Sequence, residues 1–394
     1  MKGKEIGYFP NSKSVIYDCS LNSKSFWNGA GLTLSQAGLE ILGSPIGNDD
    51  YISKYCKDKF SKISKMVETL TDVAKSHPQQ AWSVLSRSTK FKGTYIFRTT
   101  PNAHHYSESY NTALESFISK IIIHSLDGKI ILQAQLPIGR GGLGLNIDAS
   151  EYVVGQYNDS LSLTYYLSRY VIFNELLCHD DYSQNRKSIL QRKKSFWDNK
   201  VNELKNIIDK CHSKRLDEMQ MPGANDWVSC IPVSWKPHWL LSKSDYIDAM
   251  SLRFNLMPSN SPIICRSNNC SKPMTMAHMD SCTNGGIITK RHDYVKSIIA
   301  KYGEKAFGFS SVTIEPHLGE LSDEVKEMIS GNISTRARAD IAIMDYNGAQ
   351  KCSYFDVSII SPICDTHKDS SVEKLLYNIE KRKMTYTRKE LGIT

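Results

Sequence analysis

The sequence contains no long apolar run. None of its segments approaches the roughly 18 apolar residues that a membrane-spanning helix needs. Residues 1–20 hold no apolar stretch of the kind found in a secretion signal. Internal repeats and low-complexity tracts are also missing from the 394 residues. These absences predict a soluble, intracellular protein that has no membrane partner.

Three motifs lack the residues that would make them functional sites. Gly139-x-Gly-Gly-x-Gly144 is not followed by the Gly-Lys-Ser/Thr of a phosphate-binding loop. Asp49-Asp50 stands at the start of a predicted helix, which suits a helix cap better than the metal site of a polymerase. His104-His105 has no cysteine or carboxylate close to it in sequence, so we interpret it as a surface pair.

What is present is ordinary for a globular protein. The chain is 40% hydrophobic and 23% charged, and its length allows two or three domains. Its ten cysteines are scattered, with one cluster near residue 270, which indicates a reducing compartment and no disulfide framework. The formal net charge of +8 favours a polyanionic partner.

Hydrophobic periodicity predicts a mostly helical region followed by a mixed last third. Helices are expected over residues 49–76, 78–85, 106–124, 149–177, 184–216, 291–301 and 372–391. Apolar strands are expected at 38–47, 311–314, 339–344 and 354–360. The expected fold class is therefore α+β and multidomain, with boundaries near residues 48, 220 and 260.

Four potential metal ligands fall within 18 residues, in the order Cys265-x4-Cys270-x7-His278-x3-Cys282. Three thiolates and one imidazole can close a tetrahedral zinc site, which leaves no open position for catalysis. The alternative is that these residue types are spaced so by chance. His292 is a substitute ligand if His278 faces away from the cysteines. We expect one structural Zn²⁺.

Two aspartates lie in apolar, strand-like segments. Asp340 heads the run Ile-Ala-Ile-Met, and Asp356 lies inside another apolar run. A carboxylate in an apolar strand is costly unless it is paired or bound to a cation. On neighbouring strands the two could converge on one catalytic Mg²⁺, with Glu315 as a weaker third ligand. The alternative is that these acids merely end strands and cap turns.

The final predicted helix carries a candidate cation for a reacting phosphate. Lys383 and Tyr386 are three positions apart, so they share a helix face. Lys383 could stabilise the charge on the phosphate or orient the attacking water, with Tyr386 beside it. The alternative is a solvated helix face that performs no chemistry.

A basic stretch spans residues 186–215. It holds ten Lys or Arg residues against three Asp or Glu residues. Its candidate phosphate contacts are Arg186, Arg192, Lys193 and Lys194. The alternative is again a solvated helix face.

Several short motifs follow one another in a suggestive order: Gly7-Tyr-Phe-Pro-Asn-Ser-Lys13, Leu42-Gly-x-x-Ile-Gly47, Leu136-Pro-Ile-x-x-Gly-Gly-Leu-Gly-Leu145, Gly223-Ala-x-x-Trp227, and the Cys/His cluster with Arg291-His292 behind it. Together they resemble the C-terminal part of a non-LTR retrotransposon reverse transcriptase that carries a restriction-enzyme-like endonuclease. Asp340 and Asp356 resemble the acidic core of a PD-(D/E)xK nuclease. The resemblance covers nearly the whole chain, and the order of the motifs carries it.

The resemblance implies five segments. They are a remnant of the reverse transcriptase palm (1–47), a helical thumb-like or connector region (48–220), a Trp-rich linker (221–260), a zinc knuckle (261–290) and a restriction-endonuclease-like α/β domain that we expect to be truncated (291–394). It also implies DNA and RNA as partners, Arg291 as a nucleic-acid contact, and a nuclear location if the protein acts on genomic DNA.

The implied activity is Mg²⁺-dependent nicking of target DNA, which supplies a primer end for reverse transcription. Two departures bear on it. The paired aspartates of the palm would precede Met1, so we expect no reverse transcription by this chain. Ser358 stands where the nuclease pattern has lysine, so Lys383 would have to supply the amine.

The rival hypothesis is a non-catalytic, zinc-containing nucleic-acid-binding protein, either a decayed copy or one adopted by its host. The two hypotheses differ in one geometric requirement. Asp340 and Asp356 can share a cation only if their carboxylates approach within about 5 Å.

Overall fold

The computed structural model describes most of the chain. It covers residues 15–17, 33–147, 150–173, 179–232, 240–267, 270–317, 338–349, 351–364, 367 and 369–390, without the side chains of 150, 165–173, 179–183, 185 and 382–390. The chain divides into two compact units. The first unit is Met1–Asp209 with Met219–Ser259, and the second unit is Lys210–Glu218 with Asn260–Thr394. Helices and small sheets occur together, which confirms the expected α+β class.

Short strands open the first unit. They are β1 (Val15–Tyr17), parallel to β2 (Thr33–Ser35), and β3 (Gly38–Ile41), antiparallel to β4 (Ser44–Gly47). Leu42 and Gly43 join β3 to β4 with φ angles of 49° and 81°. The single strand expected over 38–47 is wrong, because two successive left-handed residues reverse the chain into a hairpin.

Helices make up the rest of the first unit, apart from short 3-10 turns at Ala103–Tyr106 and Ile138–Arg140 and a π-helical turn at Leu85–Thr89. In chain order they are α1 (Asp49–Ala74), α2 (Pro78–Val84), α3 (Lys90–Thr99), α4 (Glu108–Ile122), α5 (Gly128–Gln135), α6 (Ser150–Phe173), α7 (His179–Ile207), α9 (Asp226–Ser229) and α10 (Lys243–Arg253). The intervening α8 (Lys210–Glu218) belongs to the second unit.

The core of the first unit forms where α1, α3 and α4 meet. Phe60 of α1 is fully buried, with its ring centroid 5.1 Å from that of Phe97 and 5.8 Å from that of Tyr110. Each such buried side chain stabilises the fold by about 1.5–3 kcal/mol. At its start α1 is capped by Asn48, whose side chain accepts a hydrogen bond from the Tyr51 amide at 2.9 Å.

A buried arginine holds the glycine-rich loop that follows α5. Arg253 donates hydrogen bonds to the carbonyl oxygens of Ile138 and Gly142, both at 2.9 Å. Burial lowers the pKa of this guanidinium to about 10. The amide of Gly144 donates to the carbonyl of Leu136 at 2.8 Å, so this amide is used within the loop. The loop therefore braces the fold, in keeping with its lack of a phosphate-binding signature.

The second unit combines α8 with a small helix-and-sheet arrangement. Its further elements are α11 (Met276–Ser281), α12 (Ile287–Phe307), β5 (Val312–Ile314), β6 (Ile341–Met344), β7 (Cys352–Phe355) and α13 (Val372–Glu390). The strands form an antiparallel sheet in the order β5-β6-β7, with Ile341 opposite both Ile314 and Phe355.

Helix α12 packs on this sheet through small residues. Ala300 is buried against Ile341 and Ile343. A Cβ on Gly303 would lie 3.0 Å from the Ile343 side chain, so a glycine lets the helix approach closely. The helix ends at Gly308, whose φ of 98° an L-residue rarely adopts. It is longer at both ends than the expected 291–301.

Two predicted boundaries differ from the structure. The strand expected over 354–360 ends at Phe355, because the Val357 amide donates to the Asp340 carboxylate at 2.6 Å instead of extending the sheet. The basic helix expected over 184–216 is two helices, α7 and α8. In the Trp-rich linker, residues 233–239 lie outside the described residues.

Within the part of the chain that the structure describes, no helix has both the length and the apolar character needed to cross a bilayer.

Candidate functional site: a Cys3His cluster and an acidic pair

Cys265 and Cys270 lie where the chain reverses in a short hairpin. Ile264 and Pro273 form an isolated antiparallel bridge. The Cys265 amide donates to the carbonyl of Lys272 at 2.8 Å, which keeps the two arms together. The hairpin therefore places both thiols near one another without a longer sheet.

Helix α11 positions the other two ligands. Thr275 caps it, since its hydroxyl accepts a hydrogen bond from the His278 amide at 3.1 Å. The Cys282 amide donates to the carbonyl of His278 at 2.9 Å, at the C-terminal end of the helix. Residues four apart lie on the same helix face, so the imidazole and the third thiol point the same way.

The four ligand atoms converge. They all lie within 4.8 Å of one another. The Sγ atom of Cys282 is 3.8 Å from that of Cys265 and 3.9 Å from that of Cys270, and the Cys270 Sγ is 3.2 Å from the His278 Nε2. A tetrahedral zinc ion with Zn–S bonds near 2.3 Å would separate two sulfurs by about 3.8 Å. The cluster could therefore hold a metal ion such as zinc.

The electrostatics of the cysteines favour a metal. Hydrogen bonds from Ser267, and a further one with His278, lower the pKa of Cys265 to about 6, so its thiolate is populated at neutral pH. At Cys270 a hydrogen bond from the Lys272 backbone lowers the pKa, but burial and the adjacent Cys265 and Cys282 outweigh it and leave the pKa raised. A divalent ion would relieve this crowding of sulfurs, because metal binding releases their protons.

Two arginines connect α11 to helices α12 and α8. Arg291 of α12 donates to the carbonyl oxygens of Asp280 at 2.7 Å and of Cys282 at 3.4 Å. Arg215 of α8 forms an ion pair with the Asp280 carboxylate. Burial raises the pKa of Asp280, and the two arginines oppose that shift. Arg291, which the sequence analysis assigns to nucleic acid, thus contacts the metal-binding segment with two of its nitrogens.

The two candidate catalytic aspartates lie side by side. Ile341 is paired with Phe355 in the sheet, and the Asp340 amide donates to the Phe355 carbonyl at 3.1 Å. This register places Asp340 just before β6 opposite Asp356 just after β7. The two carboxyl groups lie within hydrogen-bonding reach of each other.

Asp340 is the better buried of the candidate acids, with a side chain that is 16% exposed. Burial raises the pKa of its carboxyl, but hydrogen bonds with Asp356, the Val357 amide and His292 outweigh burial and leave the pKa below its ordinary value. The ionised form is therefore favoured at a position that adjoins a second carboxyl group. That arrangement attracts a proton or a cation.

Glu315 has a different environment. Its carboxylate accepts a hydrogen bond from Lys296 at 2.5 Å and lies 3.8 Å from Arg338. Lys296 itself is only 8% exposed and also contacts Asp293 at 3.2 Å. The structure thus places Glu315 in an ion pair with α12, and among the described residues the Cys3His cluster is the one group in which three or more such ligands converge.

His292 is a neighbour of the acidic pair that the sequence did not reveal. Its Nε2 lies 3.3 Å from the Asp340 Oδ2, and its Nδ1 lies 3.3 Å from the Asp293 Oδ1. Since the His278 imidazole faces Cys270, His292 is not needed as the substitute zinc ligand. Its position four residues before Lys296 on one helix face is a signal that sequence reasoning could have used.

The structure describes the remaining predicted site residues only in part. Lys383 and Tyr386 lie on α13, but their side chains are outside the described residues. Arg186, Lys193 and Lys194 are exposed on α7 and form no ion pair with the residues that the structure describes. Arg192 is also exposed, but it is held by Asp159 at 2.9 Å.

The comparisons with known proteins leave the family open. The chain matches no protein-family model, no curated protein and no solved structure.

Proposed function

We propose that this chain is part of a retroelement-type reverse transcriptase protein, and that its second unit is a metal-dependent endonuclease that nicks DNA. The observation that carries the proposal is the adjacency of Asp340 and Asp356 across the β6–β7 register. Their strand-like segments are distant in sequence from the Cys3His cluster, so the cluster does not account for their convergence.

Two ionised carboxyl groups in contact repel each other unless something positive lies between them. A shared proton could do this, and so could a divalent cation bound by both carboxylates. Mg²⁺ prefers oxygen ligands and usually takes one or two carboxylates from a protein. Asp340 and Asp356 fit that preference.

A bound Mg²⁺ would lower the pKa of a coordinated water and so generate a nucleophile for a phosphodiester. The protein's own groups have separate roles. Asp340 is held in place by the Val357 amide, which fixes the direction of its carboxylate. Lys383 of α13 remains the proposed cation for the phosphate, with Tyr386 beside it.

The Cys3His cluster has a structural role in this proposal, with Zn²⁺ as its metal. Three thiolates and an imidazole fill four positions, so no position stays open for a substrate. The Arg291 bonds to the carbonyls of Asp280 and Cys282 connect the cluster to α12, which also carries His292. Binding of zinc would thereby stabilise the helix that packs beside the acidic pair.

The test is nicking of supercoiled plasmid by the full chain with Mg²⁺ or Mn²⁺. We expect nicked circles from the parent and none from Asp356→Ala, whereas both proteins bind the plasmid equally. Glu373→Ala, at an exposed position on α13, is the matched acidic control and should nick like the parent. Equal nicking by the parent and Asp356→Ala would refute the assignment.

A second candidate function is nucleic-acid binding without cleavage. The ion pair between Glu315 and Lys296 favours it, because it engages with α12 the carboxylate that was expected to be a third ligand of a catalytic Mg²⁺. In that case Asp340→Asn should leave plasmid binding unchanged, and neither parent nor variant should nick. Metal titration by calorimetry separates the two functions, since only the endonuclease should lose Mg²⁺ affinity in Asp340→Asn.

A further inference from the structure

A cavity of about 450 Å³ opens in the second unit beside the Cys3His cluster. It is bounded by the metal-binding hairpin, by the start of α12, and by residues 359–361, 364 and 367. Ligand pockets in proteins commonly span about 300–1,000 Å³, so its size suits a bound group larger than one water. The acidic pair is not among its lining residues.

Two buried polar atoms of the lining lack partners. The Nε of Arg291 and the hydroxyl of Ser361 are buried, and neither has a hydrogen-bond partner in the part of the chain that the structure describes. Buried polar groups in folded proteins are nearly always paired, and an unmet donor is destabilising. A guanidinium nitrogen can only donate, so the missing partner of Arg291 must be an acceptor.

The charge around the cavity is positive. Lys272 and Arg291 line it, and its acidic lining residue, Asp280, is already paired with Arg215. Cys270 and Cys282 of the cluster also line it, and a metal ion bound there would offset the charge of their thiolates. Helix α12 begins here after Gly286 with no side-chain cap and no acidic residue in its first turn. Its first amide groups and the positive end of its dipole therefore also favour an anion.

The wall that carries Ser361 is held in place from α8. The ammonium group of Lys214 donates to the carbonyl oxygens of Pro362 at 2.7 Å, His367 at 2.6 Å and Ser370 at 3.1 Å. Three bonds from one cation fix this segment against the helix. The donors are thus arranged before any ligand arrives, which reduces the entropy lost on binding.

We propose that this cavity binds a phosphate group of the DNA strand. The inference rests on the proposed function, because it takes the polyanion to be DNA. The separate support for a phosphate is the two cationic side chains of the lining, the unpartnered atoms of Arg291 and Ser361 and the uncapped start of α12, which together suit an anion with several acceptor oxygens. The cavity is a second contact for the strand, apart from Asp340 and Asp356.

The test measures the affinity of the zinc-loaded full chain for a fluorescein-labelled DNA duplex by anisotropy. The double variant Lys272→Gln with Ser361→Ala avoids Arg291, whose loss would disturb the cluster. We expect about tenfold weaker binding and a salt slope smaller by about one. Lys301→Gln, at an exposed position on the same helix, should bind like the parent, and zinc content should be equal in all three.

Each outcome separates this inference from the proposed function. Equal affinity of parent and double variant would overturn the phosphate cavity and leave the nicking result untouched. Weaker binding by the double variant would support the cavity even if the parent fails to nick. A third arm adds inorganic phosphate or a nucleoside monophosphate. If these ligands stabilise the parent but not the double variant, and duplex affinity is unchanged, the cavity takes a free phosphate and the DNA assignment is wrong.

Discussion

The Nε2 of His292 and the Oδ2 of Asp340 lie 3.3 Å apart, and this pair joins α12 to the start of β6. Burial lowers the pKa of His292, but its hydrogen bonds to Asp293 and Asp340 outweigh burial and leave the pKa raised above 6.5. The pKa of Asp340 is shifted the other way, below 3.8. The imidazolium and the carboxylate therefore stabilise each other over a defined range of pH.

The first prediction follows from these two shifts. The His292 contribution is fully present below pH 6.5 and is lost as pH rises through the raised folded pKa. The Asp340 contribution is present above pH 3.8 and is lost as pH falls through the lowered folded pKa. The substitution His292→Gln should therefore lower the free energy of unfolding most between pH 3.8 and pH 6.5. The loss should be less than about 1 kcal/mol, because the pair is partly exposed to solvent.

Urea unfolding of the zinc-loaded proteins at several pH values, without added Mg²⁺, measures this difference. Tyr294→Phe, at an exposed position on the same helix, is the control and should unfold like the parent. If His292→Gln loses the same free energy of unfolding at pH 5 as at pH 8, the ion pair between His292 and Asp340 does not account for the loss.

The second prediction concerns the metal of the Cys3His cluster. Cys270→Ser should lose the bound metal, because a hydroxyl is a poor substitute for a thiolate ligand of zinc. Cys352→Ser changes an exposed cysteine outside the cluster and should keep one metal ion per chain. Elemental analysis of both purified variants provides the measurement. Full metal content in Cys270→Ser would mean that another ligand set holds the ion.

The third prediction distinguishes neighbours on α7. Lys193→Gln and Lys194→Gln should each reduce the slope of DNA affinity against salt by about one, since each removes one phosphate contact. Arg192→Gln should have a smaller effect, because its guanidinium is already held by Asp159. Titrations at several salt concentrations provide the slopes. Equal slopes for the lysine variants and the parent would make this helix face a solvated surface.

The fourth prediction concerns the glycine-rich loop. A Cβ at Gly142 would lie 2.0 Å from the Leu136 carbonyl oxygen, so Gly142→Ala should destabilise the first unit by about 3 kcal/mol or more. Gly139 has no atom within 4 Å of such a Cβ, and Gly139→Ala should be close to neutral. Thermal unfolding of the two variants compares them directly. Similar melting temperatures would contradict the tight approach of Gly142 to the Leu136 carbonyl.

Local sequence patterns predicted the features that depend on near neighbours. The periodic apolar positions of residues 49–76 predicted α1 within two residues of its observed end. The spacing of Cys265, Cys270, His278 and Cys282 predicted one cluster, because a hairpin and one helical turn suffice to bring them together. Over such short separations, backbone geometry leaves few other arrangements.

The sequence alone failed where a contact joins distant segments. It suggested Glu315 as a partner of the two aspartates, whereas strand β5 and helix α12 place it against Lys296, 19 residues away. It missed His292 beside Asp340, a pair separated by 48 residues. The hydrophobic periodicity of a sequence does not indicate which side chains of a helix contact the end of a strand.

The sequence by itself thus predicted helix α1, the α+β class and the four residues of the Cys3His cluster, since each depends on residues close together in the chain. The tertiary structure decided which acids meet. The register that sets Ile341 opposite Phe355 brings Asp340 to Asp356. Helix α12 approaches the sheet closely at Gly303, and the same helix carries His292, which contacts Asp340, and Lys296, which contacts Glu315. Register and packing arise from the burial of apolar faces across the whole unit, which no single segment encodes.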